Sequence, residues 1–476
     1  MILSIDQGTS GTTCLVVDEL LRPVGHGYRE LRQHFPKPGW VEHDAVEIWD
    51  SVLASAEEAL SRAAIGAQDL RAIGITNQRE TTVVWERSTG RPVQNAIVWQ
   101  DRRTAERCRE LPGDLIRART GLVPDPYFSA TKLEWILARA TQPVSQLAFG
   151  TIDSWLAWQL TGGEAHVTDE TNASRTMLFD LERRAWDDAL LELFSVDDAM
   201  LPRVVRSAGV VGEASLLGAR VPLASLVGDQ QSALFGQGCF AEGEAKATYG
   251  TGSFVLANIG GRAGPVADGL LKTAAAVAPG AAPQNAAEGA VLVSGAALQW
   301  LRDGLGILDS AVSSEQVARD VGSSEGVVFV PALTGLGSPH WDAEVRGMIT
   351  GITRGTTRAH VVRAALEAIA HQVADVLDVL PLEIGVLRAD GGASANAFLM
   401  QLQADLSGCP VEVAEETETT ALGAAALAGL AVGIWSDVGE VDGLIRRGAR
   451  YEPCPRDDLP ELRERWRHAL RQATAR

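Results

Sequence analysis

A chain of 476 residues, 46% hydrophobic and 5% aromatic with 48 glycines, reads as an ordinary globular protein of on the order of two to four domains. Its formal net charge of -19 argues against a nucleic-acid or anionic-membrane surface, while a local field can still admit an anionic substrate. The five cysteines (Cys14, Cys108, Cys239, Cys409 and Cys454) are scattered and form no CxxC pair, which excludes a zinc or disulfide framework and fits a reducing cytoplasm.

The opening, Met1-Ile2-Leu3-Ser4-Ile5-Asp6, is too short and too soon acidic for a signal peptide, and no apolar run approaches the roughly 18 residues of a membrane span. The expectation is a soluble, cytoplasmic protein. Residues 1–5 read as a buried strand that ends at Asp6 and enters Gln7-Gly8-Thr9-Ser10-Gly11-Thr12-Thr13, after which a second apolar run follows at once. This is a hairpin whose tip offers backbone N–H groups and small hydroxyls, a chemistry that suits phosphate oxygens. GxxxxGK[ST] is absent, so it is not a P-loop. Asp6 is placed to hold a water of a magnesium ion, and a plain glycine hairpin is the alternative.

An amphipathic helix is predicted over residues 45–64 and a strand over 70–75. The strand runs into Thr76-Asn77-Gln78-Arg79-Glu80-Thr81-Thr82. In an extended chain Arg79 and Glu80 would point to opposite faces, whereas in a loop both can converge on a small polyol; a surface ion pair is the other role. Trp99, at the end of the next apolar run, can pack a carbon skeleton or simply fill a core. A helix begins near Tyr127-Phe128-Ser129, with Ser129 or Thr131 as its cap. Residues 150–160 and 168–178 add a helix and a polar loop.

The centre of the chain is an apolar strand over 221–227 that ends in Gly228-Asp229-Gln230-Gln231 and leads into a helix. A carboxylate at that position can take a proton from a substrate hydroxyl, or it can cap the helix. A second turn of small residues and hydroxyls, Thr248-Tyr249-Gly250-Thr251-Gly252-Ser253, follows. Two such hairpins make a weak internal repeat, which predicts two related α/β domains around a shared cleft, divided near residues 237–241 into 1–238 and 239–476. Residues 260–290 read as connecting structure, 289–294 as a strand, and Gly295 to Leu301 as the start of a helix. His340, alone in a turn-rich loop, is assigned a structural role. Residues 356–380 form a long helix. Asp390-Gly391-Gly392 then precedes a further helix, where glycines let a flat or anionic group approach the backbone. Residues 421–432 are a small-residue helix suited to tight packing, and residues 459–473 a last docked helix with a solvated arginine face.

Several long strings, in order and nearly end to end, resemble the FGGY carbohydrate kinases. They include residues 74–82 (GITNQRETT), 95–104 (NAIVWQDRRT), 127–135, 150–161, 168–178, 228–237, 248–252, 327–342 and 390–403. The QRET and IVWQDRR strings resemble the members that act on glycerol. The resemblance implies an actin-like fold of two ribonuclease-H-like domains, which use Mg²⁺ and ATP to phosphorylate glycerol to sn-glycerol 3-phosphate. Carried over by motif, Arg79, Glu80, Trp99, Tyr127, Asp229, Gln230 and Phe254 would line the glycerol pocket, with Asp229 as general base. Asp6 would help hold magnesium. Thr9, Ser10, Gly11 and Thr251 would lie along the phosphates of the nucleotide, and Gly295, Gln299, Gly392 and Asn396 would flank the nucleoside. Family members often form dimers or tetramers, so a homodimer or homotetramer is expected. One departure is Thr13, where many of these kinases carry an arginine. Two other functions stay open on residues alone: a kinase for a related polyol or ketose, and a sensor that binds nucleotide and polyol without turnover.

Overall fold

The computed structural model describes residues 1–475. Its N-terminal sheet starts with β1 (Ile2–Gln7), β2 (Gly11–Val17) and β3 (Pro23–Glu30), consecutive and antiparallel. Helix α1 (Ala45–Arg62) follows, started by Asp44, whose carboxylate accepts from Val46 N. Ile48, Val52, Ala56 and Ala59 recur at helical spacing and are buried with Leu3, Ile5, Ile73 and Ile75 of the sheet. β4 (Ala72–Asn77) runs parallel to β1. A long excursion holding α2 (Ser129–Leu137) and α3 (Ile152–Leu160) separates β4 from the edge hairpin of β5 (Ala208–Leu216) and β6 (Ala219–Gly228). The sheet order is β5-β6-β4-β1-β2-β3, and α4 (Asp229–Gly236) leaves the end of β6.

The second sheet repeats this plan. β7 (Glu244–Tyr249) and β8 (Ser253–Asn258) are antiparallel, as β1 and β2 are. β9 (Leu271–Ala275) is added at the edge, next to β10 (Gln284–Val291), which pairs antiparallel with β8. After α5 (Gly295–Asp303) and the buried α6 (Arg358–Asp378), β11 (Val386–Asp390) pairs parallel with β7, as β4 does with β1. α7 (Ala397–Ser407) precedes β12 (Val411–Ala414), parallel to β11 and antiparallel to β13 (Arg447–Tyr451). Between these last two strands lies α8 (Thr419–Ala431). The order is β9-β10-β8-β7-β11-β12-β13. The repeat expected from the two hairpins therefore extends through six strands of each sheet.

The small-residue helix α8 comes from the C-terminal half, yet it packs on β1, β4 and β6 of the first sheet and crosses α4. At the crossing a Cβ on Gly236 would fall 2.1 Å from Thr419 O, and one on Gly423 would fall 2.0 Å from Ser232 O. Only glycine permits that approach. The hydroxyls of Ser4, Ser225 and Ser232 donate to the carbonyls of Ala421, Ala424 and Thr420 at 2.6, 2.8 and 2.7 Å, which ties the helix to sheet and neighbour without apolar bulk.

Four local expectations change. The strand predicted over 289–294 is β10, which begins at Gln284, because its backbone pairs with β8 and β9, while Ser294 turns away to donate its N–H to Thr251 O. α2 is capped by neither Ser129 nor Thr131. Phe128 stands at the cap without a side-chain bond, Ser129 Oγ donates to Glu80 O at 3.0 Å, and Thr131 meets Thr104 at 2.8 Å. The pair Gly391-Gly392 opens a short 3₁₀ turn, and the helix behind it is capped by Asn396. His340 keeps a structural place, with Nε2 3.9 Å from Asp375. The last helix, α9 (Leu459–Thr474), docks through Leu462, Trp466 and Leu470, and Trp466 Nε1 donates to Asp375 at 2.6 Å. Its Arg463 is not on a solvated face: it is 11% exposed and pairs with Asp375 at 2.8 Å.

Candidate active site

The turn after β4 puts Glu80 in the left-handed region, at φ 62. That conformation is uncommon for a residue with a side chain, and here it turns Arg79 and Glu80 into one interior. Both are buried, at 2% and 1% exposure, so the surface ion pair is ruled out. Arg79 Nη1 and Nη2 donate to the two oxygens of Glu288 at 2.6 and 3.1 Å, Nη2 also reaches Tyr127 Oη at 3.4 Å, and Nε lies 3.2 Å from Asp229 Oδ1. Arg175 Nε donates to Glu80 at 2.6 Å and its Nη2 to Glu288 at 3.1 Å. The result is a closed polar network in which Glu288, from the second sheet, clamps both arginines of the first half.

Burial alone would push the Glu288 carboxyl up, but Arg175 and Arg79 more than offset it and hold it at about 2. Glu80 takes a guanidinium bond from Arg175 alone, and burial keeps its carboxyl above the usual value. Glu288 and Arg175 are members of this network that the sequence reading missed. The signal for Glu288 was a lone carboxylate in Asn285-Ala286-Ala287-Glu288-Gly289-Ala290, since a buried charge requires a partner.

Gly228 makes room for this network. A Cβ there would sit 2.8 Å from Arg79 Cδ and 3.0 Å from Gln231 Oε1. Its φ of -65 suits any residue, so Gly228→Ala tests sterics alone. We expect it to destabilise the protein by about 1–3 kcal/mol in denaturant unfolding, as overpacking does; an unchanged midpoint would show that Arg79 can move aside.

Asp229 is the first residue of α4, and the cap position belongs to Gly228. Its carboxylate instead accepts from Gln230 N at 2.6 Å and faces Arg79, and the side chain keeps 30% exposure. Burial pushes its pKa up; Arg79, the Gln230 N–H and Lys246 pull it back without cancelling the rise. A carboxylate held above its ordinary value is a better proton acceptor at neutral pH.

Asp6 ends β1. Its carboxyl is raised well above the ordinary range by burial, then by Asp229 and Glu418. Among the described residues no cation lies within ion-pair distance of it, and no group of three His, Cys, Asp or Glu gathers as a metal cage. A carboxylate that has no cation of its own and is repelled by two further acids fits a magnesium ion, which commonly takes one or two carboxylates and keeps its waters.

Trp99 Nε1 donates to Thr9 Oγ1 at 2.8 Å, which ties Trp99 to the first hairpin, and its ring meets Tyr127 edge-on at 5.5 Å. Phe254 is opposite Thr248 and Ala290 in the sheet register. It therefore shares a sheet face with Lys246 and Glu288, the face turned to Arg79 and Gln230, though among the described residues no ring contact joins it to Trp99 or Tyr127. At the first tip Gly8 N bonds Gly11 O at 2.9 Å, Ser10 is exposed, and Gly11 lies under Tyr28 so that only its backbone is offered. Thr251, Gly295, Gln299, Gly392 and Asn396 meet in one cavity of about 410 Å³, whose walls include Tyr249, Leu298 and Glu315.

Two sheets of one strand order, with carboxylates at or next to their strand ends and a cavity of about 410 Å³ beside them, have the layout of a two-domain α/β protein with a cleft between its halves. The profile of the FGGY family of carbohydrate kinases matches with its N-terminal domain over residues 1–236 and with its C-terminal domain over residues 245–432. The chain belongs to the FGGY family of carbohydrate kinases. It is 52% identical to the glycerol kinase of Leptothrix cholodnii, over 100% of this chain and 99% of that protein, and 51% identical to the glycerol kinase of Deinococcus radiodurans, over 99% and 97%. The crystal structure of Plasmodium falciparum glycerol kinase with ADP matches with a TM-score of 0.95 at 35% identity, covering 100% of this chain and 98% of that one.

Proposed function

We propose that this chain transfers the γ-phosphoryl group of ATP to a primary hydroxyl of glycerol, giving sn-glycerol 3-phosphate. The observation that carries the reading is the contact at 3.2 Å between buried Arg79 and the partly exposed Asp229, in a chain whose full-length relatives are named glycerol kinases. Asp229 takes the proton of the attacking hydroxyl as transfer proceeds, and Arg79 holds that carboxylate in place. Gln230 meets the same hydroxyl as Asp229, Arg79 and Glu80 meet the others, and Trp99, Tyr127 and Phe254 pack the carbon skeleton. A buried polar group left unpaired costs about 1–3 kcal/mol, so such a pocket rejects deoxy analogues. Thr9, Ser10, Gly11 and Thr251 lie along the phosphates, and Gly295, Gln299, Gly392 and Asn396 flank the nucleoside. Asp6 would hold Mg²⁺, which would supply charge neutralisation at the phosphates. Phosphoryl transfer asks chiefly for such alignment and charge neutralisation.

We divide the chain at residue 238, with glycerol and the first hairpin served by residues 1–238 and the nucleoside by 239–476. Among the described residues no helix is long and apolar enough to cross a membrane, and all five cysteines are free, which supports the cytoplasm as compartment. A homodimer or homotetramer is proposed, for sedimentation to decide. The reading itself is tested by coupled ATP consumption with glycerol, other polyols and ketoses. Glycerol is expected to give the highest kcat/KM, and glycerol no better than the rest would end the proposal.

Thr13 stands opposite Asp6 in the β1–β2 register, so the two side chains share a sheet face. Thr13→Arg places a guanidinium beside the phosphate path. One charge-assisted bond is expected to lower the KM for ATP by about tenfold; a KM that rises would mean that Asp6 captures the new arginine.

A further inference from the structure

Lys246 is a buried cation to which the site described above gives no role. It stands mid-strand in β7, opposite Leu256, with 0% exposure. Its Nζ donates to Gln230 Oε1 at 2.5 Å and to Thr248 Oγ1 at 2.8 Å. Among the described residues no carboxylate comes within ion-pair distance of it, although Asp390, Asp229 and Glu288 favour its charge and Arg79 opposes it. Burial accordingly holds its pKa below the ordinary lysine value. A buried ammonium without a carboxylate costs several kcal/mol relative to a paired one, so its placement against a neutral amide calls for a physical account.

The account lies in donor chemistry. An ammonium has three donors and no acceptor, whereas a glutamine amide has an oxygen on one side and an NH₂ on the other. Only the oxygen of Gln230 can meet Lys246, so Nε2 is forced away from it. Among the described residues Nε2 has no hydrogen-bond partner, and Gln230 is only partly buried. The adjacent Asp229, when ionised, is an acceptor alone. Side by side they present one acceptor and one donor, which is what a single hydroxyl needs, since it gives one hydrogen bond and receives others.

We propose that Lys246 is a positioning residue for substrate recognition: its ammonium locks the amide of Gln230 with Nε2 toward the cleft, so that the hydroxyl beside Asp229 is held as acceptor as well as donor. The lock crosses the cleft, from β7 of the second sheet to α4 of the first. The inference rests on glycerol as substrate, and the first arm of its test keeps the two separable.

Wild-type protein assayed with glycerol decides the substrate. Lys246→Met, close in volume and without charge, is then expected to raise the KM for glycerol by about tenfold, the loss of one hydrogen bond to an oriented group, while the KM for ATP stays within about twofold. In a Gln230→Ala background the same substitution is expected to add less than about twofold, because its effect passes through that amide. Equal rises in both KM values, an unchanged KM for glycerol, or the same tenfold effect without Gln230 would each overturn the proposal. Should Lys246→Met fail to fold, Gln230→Glu serves: it keeps an acceptor for Lys246 and removes the donor, so an unchanged KM for glycerol would overturn the proposal as surely.

Discussion

Asp229→Asn is expected to lower kcat by about 10²- to 10⁴-fold, the span ordinarily contributed by a positioned general base, with ADP affinity unchanged. The substitution preserves shape, so the Gln230 N–H keeps an oxygen to bond at the place where it now finds Asp229 Oδ1 at 2.6 Å. Arg79 keeps Glu288, at 2.6 and 3.1 Å. What is lost is a charged acceptor on a hydroxyl that must shed its proton as the phosphorus–oxygen bond forms. The cavity of about 410 Å³ between Gly295, Gln299, Gly392 and Asn396 does not include residue 229, so calorimetry with ADP should give the wild-type value. Near-normal turnover would remove Asp229 as the base. The pH profile adds a second readout. The carboxyl is raised from its ordinary 3.8, first by burial, and the protonated form cannot accept. Wild-type kcat therefore falls as pH drops through that raised value, and this acid limb should be missing from the residual rate of the variant.

What the sequence made legible was local. Each phosphate-type hairpin is read within a few consecutive residues, and both fold as expected, as β1–β2 and β7–β8. The carboxylate after the central strand is legible for the same reason, since strand, glycine, acid and helix are contiguous. Gly295, Gln299 and Asn396 were singled out only through the family resemblance, and they line one cavity with Thr251 and Gly392. Partners set by the meeting of two sheets were not legible. Arg79 and Glu288 are 209 positions apart, and nothing near either one marks the other. The positive φ of Glu80 was equally illegible, because the turn is held from a distance within the first half, by Ser129 and Lys132 reaching the Glu80 carbonyl from α2. Small-residue spacing announced that α8 would pack closely, yet could not say that it would cross into the other half and lie on β4. Periodicity reports which face is buried, and it is silent on what buries it.

The residue that shows this best also carries the other large prediction. Glu288→Gln should destabilise the protein by about 3–5 kcal/mol at pH 7, because removing one member of a buried ionic cluster leaves charge uncompensated. Arg79 and Arg175, at 2% and 0% side-chain exposure, would then face Glu80 and Asp229 alone. The lowered pKa gives an independent figure. A carboxyl at about 2 when folded and 4.5 when unfolded corresponds to about 3 kcal/mol of stabilisation at neutral pH. The sign follows from the depressed folded value: this contribution is full above pH 4.5 and is lost as pH falls toward 2. The wild type should therefore lose stability across that window more steeply than Glu288→Gln, so their unfolding midpoints, well apart at pH 7, should converge in acid. Function should follow, since Arg79 without its clamp no longer fixes Asp229, and the KM for glycerol should rise together with a fall in kcat. Equal midpoints at pH 7 would mean that the two arginines find other partners, and that the second sheet does not hold the glycerol side of the site through this carboxylate.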